Sequence, residues 1–335
     1  MTTVLFTCAG MRVDILDAFR AAGATTIAAD VDMYAPTLYA ADRYALVPRI
    51  DDDEYVPKLA ELVRLHDVDL IVPLADMDQL KLARARDRFE PALVLLPDAE
   101  IVDKMSDKYL AHLHFEERGI DSPATWLPED VPRTAEFPLL VKARRGYGSR
   151  HIYRVHDRAQ LEQVVAQTPE PTMVQAICRG EEFSIDVVCD FEGRCLNAIP
   201  RTMIESKGGE SIKGMTIRDP ALIELGRRVA ESIPLHGPAN IQCFREPDRT
   251  HLLTDVNPRF GGGFPLPLVA GGRYPELVLA LANGGRPEPR VGDFREGVVM
   301  TRFLSHTCLT AGPDGTLEPF SEELPEPVES SPSSP

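Results

Sequence analysis

Thr254-Asp255-Val256-Asn257-Pro258-Arg259 ends a run from His251 that reads as a β-strand. Successive side chains of a strand point to opposite faces, so Asp255 and Asn257 share one. The stretch Ala239 to Phe244 reads as its antiparallel partner, joined to it by a polar turn at Glu246 to Arg249, and carries Gln242. Three side-chain oxygens so placed suit a hard cation that also keeps water and phosphate oxygens. Arg259 follows at once, with a planar fork for a phosphate or carboxylate. The plainer reading, an Asp and an Asn making turn contacts before Pro258, stays open on these residues alone.

Upstream, Met173 to Ile177 reads as a strand and leads through Gly180 into Glu181-Glu182. Such a strand-to-loop hinge offers backbone N–H and C=O groups to a base edge, with a carboxylate nearby for sugar hydroxyls. Further back, Leu139-Leu140-Val141-Lys142 is an apolar strand that ends in an ammonium and runs into Arg144-Arg145-Gly146-Tyr147-Gly148-Ser149-Arg150. Glycines let backbone amides close over phosphates that the lysine neutralises. No GxxxxGK[ST] occurs, so this is not a P-loop. An exposed basic turn is the alternative.

The first hundred residues alternate short apolar runs with helical patterns. Val4 to Phe6, Thr26 to Ala29, Leu46 to Pro48, Leu70 to Pro73 and Leu93 to Leu96 read as strands, and Val13 to Ala22 and Glu54 to His66 as helices. That alternation predicts a parallel sheet covered by helices. Gly10 after the first strand invites a dinucleotide reading, but Met11 and Arg12 break any GxGxxG, so a nicotinamide site is not expected. Asp107-Lys108 opens a helix that stops at Gly119, and Pro220 to Ile233 reads as a long helix.

With 335 residues the chain is too long for one ordinary core and should divide into two or three units. Its 36 basic and 52 acidic residues leave a net charge of −16, which argues against nucleic acid and anionic membrane as partners. No apolar run is long enough for a membrane span. The six cysteines form no CxxC pair and no zinc spacing, and the start of the sequence shows no cleavable leader, so a reducing, cytoplasmic setting is expected. Ser321 to Pro335, rich in Glu, Pro and Ser, is expected to be disordered.

Taken in order, these pieces resemble the ATP-grasp superfamily, in particular its carbamoyl-phosphate-synthetase-like branch of carboxylate–amine ligases. The resemblance runs over about residues 1 to 305: Asp107-Lys108, Val141-Lys142 with the glycine loop, Met173-Val174-Gln175 with Gly180-Glu181-Glu182, Ala239-Asn240-Ile241-Gln242, and Asp255-Val256-Asn257-Pro258-Arg259. It implies an α/β fold: an N-terminal Rossmann-like domain at 1–103, a linker helix and small lid at 104–177, a large domain at 178–320 and a tail beyond. It implies ATP with Mg2+ or Mn2+ as cofactors. Lys108, Lys142 and Gly148 would contact the phosphates, the backbone at Gln175 and Ile177 the adenine, and Glu182 the ribose. Gln242, Asp255 and Asn257 would hold the metal, and Arg259 would stabilise the transferred phosphoryl. Many relatives carry Glu where this chain has Asp255 and Gln175.

Two glycine-containing stretches look like substrate elements. Pro200-Arg201-Thr202 leads into Glu205 to Ser211, a polar, mobile-looking loop; Arg201, ahead of it, and Lys207, before its glycines, are candidate catalytic cations, and Gly261-Gly262-Gly263 follows Arg259. The implied chemistry is attack of a substrate carboxylate on the γ-phosphate, giving an acyl phosphate and ADP, then displacement of phosphate by an amine. The expected partners are a small carboxylic acid, an amine and, at most, a second copy of the chain. Bicarbonate as the acid, and a nucleotide-binding regulator without catalysis, are the alternatives.

Overall fold

The structure is a computed structural model that describes residues 1–146, 151–207 and 210–320, Lys207 and Glu210 by backbone alone. Gly148 and the tail from Ser321 lie outside the described residues. The chain opens with β1 (Thr3–Thr7), α1 (Val13–Ala21), β2 (Thr25–Asp30), α2 (Pro36–Ala40), β3 (Arg43–Leu46), α3 (Tyr55–Leu65), β4 (Leu70–Pro73), α4 (Gln79–Arg84) and β5 (Leu93–Val94). The five strands form one parallel sheet in the order β3-β2-β1-β4-β5. The third strand lies at Arg43–Leu46, earlier than the expected Leu46 to Pro48. Pro48 has no N–H for a ladder, and the strand instead pairs the exposed residues before it with β2.

Two helices, α5 (Ala99–Ser106) and α6 (Lys108–Glu117), lead out of this sheet. Asp107 between them caps α6, its carboxylate accepting from the amides of Tyr109 and Leu110 at 3.1 and 3.3 Å. A small antiparallel sheet follows: β6 (Thr125–Trp126), β7 (Leu139–Ala143), β8 (Ile152–Val155), α7 (Arg158–Gln167) and β9 (Thr172–Ala176), in the order β6-β9-β7-β8. It closes its own core around Val141, Val155, Leu161 and Val174.

The last part is built on β10 (Glu181–Cys189), β11 (Cys195–Thr202), β12 (Glu205–Lys207), β13 (Glu210–Met215), α8 (Pro220–Ser232), β14 (Gly237–Arg245), β15 (His251–Asn257), α9 (Pro265–Val269), α10 (Tyr274–Ala282) and β16 (Val299–Thr301). β11-β10-β14-β15 form an antiparallel sheet, and β12-β13-β16 a smaller one beside it. A hairpin of β17 (Leu309–Ala311) and β18 (Leu317–Pro319) ends the described chain. One face of the four-stranded sheet is apolar. Phe183, Ile185 and Val187 of β10, Ile241 and Cys243 of β14, and Leu253 and Val256 of β15 pack with Leu222, Leu225 and Val229 of α8.

Leu253 and Val256 are three residues apart, which strict alternation would put on opposite faces. The register explains it: Gln242 pairs with Asp255 but Cys243 pairs with Leu253, so Thr254 is the extra residue of a β-bulge. Its hydroxyl donates to the Gln242 carbonyl at 3.2 Å. Among the described residues no helix is long and apolar enough to cross a membrane.

The parallel sheet and the large sheet are stitched by a file of aromatic rings. Phe6 meets Phe19 at 5.3 Å, Phe19 meets Phe260 at 5.8 Å, and Phe260 meets Phe264 at 4.5 Å between centroids, all edge to face. At the junction of the small and large sheets, Gly180 is indispensable. A Cβ there would stand 1.6 Å from the Arg245 carbonyl oxygen. Gly180→Ala should therefore cost about 3 kcal/mol of stability, read as a lower urea midpoint at unchanged slope; an unchanged midpoint would show that this junction yields freely.

Candidate active site

The other face of the four-stranded sheet is polar, and the register dictates its membership. Gln242 lies opposite Asp255 and Ser184, Asn240 opposite Asn257 and Asp186, and Arg201 opposite Ser184. Glu182 is on the same face of β10, two residues before Ser184. A single surface thus gathers the predicted metal ligands Gln242, Asp255 and Asn257 together with Glu182. Burial, and then the Asp255 charge, raise the Glu182 carboxyl pKa.

Cations arrive from the other units. The Lys108 ammonium, at the start of α6, is ion-paired with the Asp255 carboxylate. Its backbone N–H donates to the Arg144 carbonyl at 2.8 Å, and Arg144 returns a two-pronged grip on Asp107, with Nη2 to Oδ2 at 2.7 Å. The capping aspartate therefore also holds the basic loop against the lysine. Lys142, from β7, donates to Gln175 Oε1 at 2.8 Å, and Gln175 Nε2 donates to Thr125 Oγ1 at 3.0 Å. Burial lowers the Lys142 pKa, opposed by the nearby Asp255.

Gln175 differs from expectation. It sits inside β9, paired with Thr125 on one side and Leu140 on the other, so its backbone belongs to the sheet and its side chain is what reaches Lys142. The open hinge is Ile177 to Arg179, after the strand has ended. There Glu246 accepts from the amides of Arg179 and Gly180 at 2.8 and 3.3 Å.

Arg201 also departs from its expected setting. It is a strand residue of β11, 2% exposed, with Nε donating to Asp186 Oδ2 at 2.7 Å and Nη1 to Ser211 Oγ at 3.2 Å. Asn240 Nδ2 donates to the other Asp186 oxygen at 2.8 Å. Arg201 is thus a buried strand residue ahead of the loop rather than a free cation beside an open cleft, and Pro200 next to it is tolerated because β11 is an edge strand. The triple glycine lies on this cluster: a Cβ on Gly263 would fall 2.5 Å from the Arg201 guanidinium carbon, and one on Gly261 2.7 Å from Asp186 Oδ1. Lys207 lies in β12, and its side chain is outside the description; Gly148 is outside it altogether.

Arg259 stands where the large sheet meets the parallel one. Its Nε and Nη2 donate to the two carboxylate oxygens of Asp76, in the loop after β4, at 2.7 and 2.9 Å. Sequence reading missed Asp76, Asp186 and Asn240. A partner 183 residues away leaves no local signal, although the alternation of β10 could have placed Asp186 with Glu182.

The donor set of one carboxylate and two amides on one face, beside two lysines, fits a magnesium ion sharing its shell with phosphate and water. A family model described as ATP-grasp in the biosynthetic pathway with Ter operon matches residues 168–304, and one for the PylC-like N-terminal domain matches residues 4–96. No curated protein matches the chain. Among solved structures, N5-carboxyaminoimidazole synthetase from Staphylococcus aureus, complexed with ADP, is 14% identical with a TM-score of 0.74, over 90% of this chain and 82% of that one. The biotin carboxylase domain of 2-oxoglutarate carboxylase from Hydrogenobacter thermophilus, with MgADP and bicarbonate, is 15% identical with a TM-score of 0.73, over 89% and 73%. L-amino acid ligase from Bacillus licheniformis is 18% identical with a TM-score of 0.66, over 88% and 78%.

Removing Asp76 leaves the half-buried Arg259 without its bidentate partner. Asp76→Ala should lower stability by about 1–2 kcal/mol, discounted for partial exposure, and Asp76→Glu should recover part of it in the same urea titration. Equal stability of all three proteins would mean that the pair is not held in solution.

Proposed function

We propose, on the premise that this chain belongs to the ATP-grasp superfamily, that it is an ADP-forming ligase which activates a small carboxylic acid with ATP and joins it to an amine. The observation that carries the reading is the convergence of Lys108, from the linker helix, and Lys142, from the lid sheet, on the polar face that bears Gln242, Asp255 and Asn257.

In this reading residues 1–103 face the substrate, 104–177 supply the linker helix and lid, and 178–320 carry the nucleotide and metal. Lys108 and Lys142 neutralise the triphosphate, and the hinge at Ile177 to Arg179 meets the adenine edge, with Glu182 on the ribose. Gln242, Asp255 and Asn257 would hold magnesium, which supplies charge neutralisation at the phosphates when bound. A carboxylate oxygen of the substrate attacks the γ-phosphorus and ADP leaves; the amine nitrogen then attacks the acyl carbon, phosphate leaves and the nitrogen loses a proton. Arg259, oriented by Asp76, faces the transferred phosphoryl. Arg201 acts at one remove, bracing Gly261 to Gly263 through its contact with Asp186. The work is positioning and charge neutralisation in a site that excludes water. The likeness to biotin carboxylase favours bicarbonate as the acid, and that to L-amino acid ligase an amino acid.

ADP release with a panel of acids and amines tests the reading. Asp255→Ala and Asn257→Ala should each lower kcat by about a hundredfold or more while leaving the fold intact; full turnover by either at ordinary magnesium would remove these residues from the metal site.

Lys142 gives a second test. Its pKa is depressed in the free protein by burial, so at alkaline pH, between the depressed value and the ordinary lysine value, part of the population has lost the proton. A triphosphate favours the ammonium, so ATP binding there should take up a proton. Calorimetry in buffers of different ionisation enthalpy measures the uptake, and Lys142→Met should abolish it. Uptake undiminished in the variant would place the ammonium away from the nucleotide.

A further inference from the structure

A cavity of about 350 Å³ opens beside the polar face, lined by Met77, Leu80, Met105, Ser106, Lys108 and Asn257 among others. It lies at the lower end of the range for ligand pockets, about 300–1,000 Å³. Its position follows from topology. In the order β3-β2-β1-β4-β5 the chain leaves β1 and β4 in opposite directions, so the loops after those strands part and open a crevice at the carboxyl ends of the sheet. Ligands of open parallel sheets bind in such crevices. Asp76 and Met77 lie in the loop after β4, and Asn257 at the end of β15, so the cavity joins that crevice to the proposed metal site.

The composition of the wall says what kind of molecule fits. Met77 is half exposed, lies between Asp76 and Asp78, and belongs to none of the hydrophobic clusters that build the cores. It faces a space also bordered by Met105, from α5, and by Leu80, from the first turn of α4. Methionines make an adaptable apolar surface. Beside this wall stand the Lys108 ammonium, the Asn257 amide and the Ser106 hydroxyl. Bicarbonate is polar on every side and gains nothing from such a wall, whereas a carboxylate with an apolar body uses both parts of it.

We propose that the acid activated by this enzyme carries an apolar body, seated against Met77, Leu80 and Met105 while its carboxylate is directed toward Lys108 and Asn257. The inference rests on the ligase reading and adds the class of acid to it.

The full-length protein with ATP and magnesium is assayed for ADP, with hydroxylamine as the amine so that any acyl phosphate is trapped as a hydroxamate. Bicarbonate, acetate and glycine are compared with leucine, phenylalanine and hexanoate. The expected result is hydroxamate from the apolar acids, with kcat/KM at least about tenfold above the small ones. Met77→Glu, at a half-exposed position outside the cores, should raise KM for the apolar acid about tenfold or more and leave KM for ATP unmoved. Turnover of bicarbonate or acetate as efficient as that of the apolar acids, or insensitive to Met77→Glu throughout, overturns the inference. ADP release with none of them, while ATP still raises the melting temperature, sinks the ligase reading. The cleft is then judged alone: a melting shift with hexanoate or leucine that Met77→Glu removes upholds it, and no shift overturns it.

Discussion

A four-stranded antiparallel sheet that must be greasy on one side and polar on the other governs this molecule. Its apolar side is sealed by α8, and that burial makes the sheet rigid. The polar side faces the other units, where an unpaired charge is costly. The structure answers by pairing several of its charged groups: Asp186 takes both Arg201 and Asn240, Asp255 takes Lys108, and Lys142, arriving from the lid sheet, takes Gln175. These paired side chains are pre-organised, because each is already oriented by its partner before any ligand comes.

The same pairing ties three units together. Lys108 reaches Asp255 from the linker helix, Arg259 reaches Asp76 in the parallel sheet's loop, and Arg12 from the loop after β1 donates to the Gly261 carbonyl at 3.1 Å. The aromatic file from Phe6 to Phe264 runs behind these contacts and supplies the apolar adhesion that the ion pairs lack. Breaking Asp186–Arg201 is different in kind from breaking an outer pair. Both groups are almost wholly buried, so loss of one strands the other at a cost of about 3–5 kcal/mol. That pair is part of the scaffold under the glycine loop.

Local rules explain why much of this was readable in advance. Helix α8 carries its apolar stripe between the Asp219 cap and Ile233, and β10 announces itself by side-chain alternation. β11 was harder, since Pro200 and Arg201 mimic a loop entry; only its place at the sheet edge, with Asp186 waiting beneath, makes an arginine and a proline tolerable there.

The sequence by itself determined the alternation of strands and helices in the first hundred residues, the strands that carry Lys142, Gln175 and Asp255, and the shared face of Asp255 and Asn257, because period-2 alternation and capping act within a few residues. Only the tertiary structure decided that Asp76 holds Arg259, that Gln175 anchors Lys142 through its side chain, and that Met77 borders a cleft. Those contacts join residues far apart in the chain. They depend on sheet order and strand register, and a one-residue bulge such as that at Thr254 sets which side chains share a face.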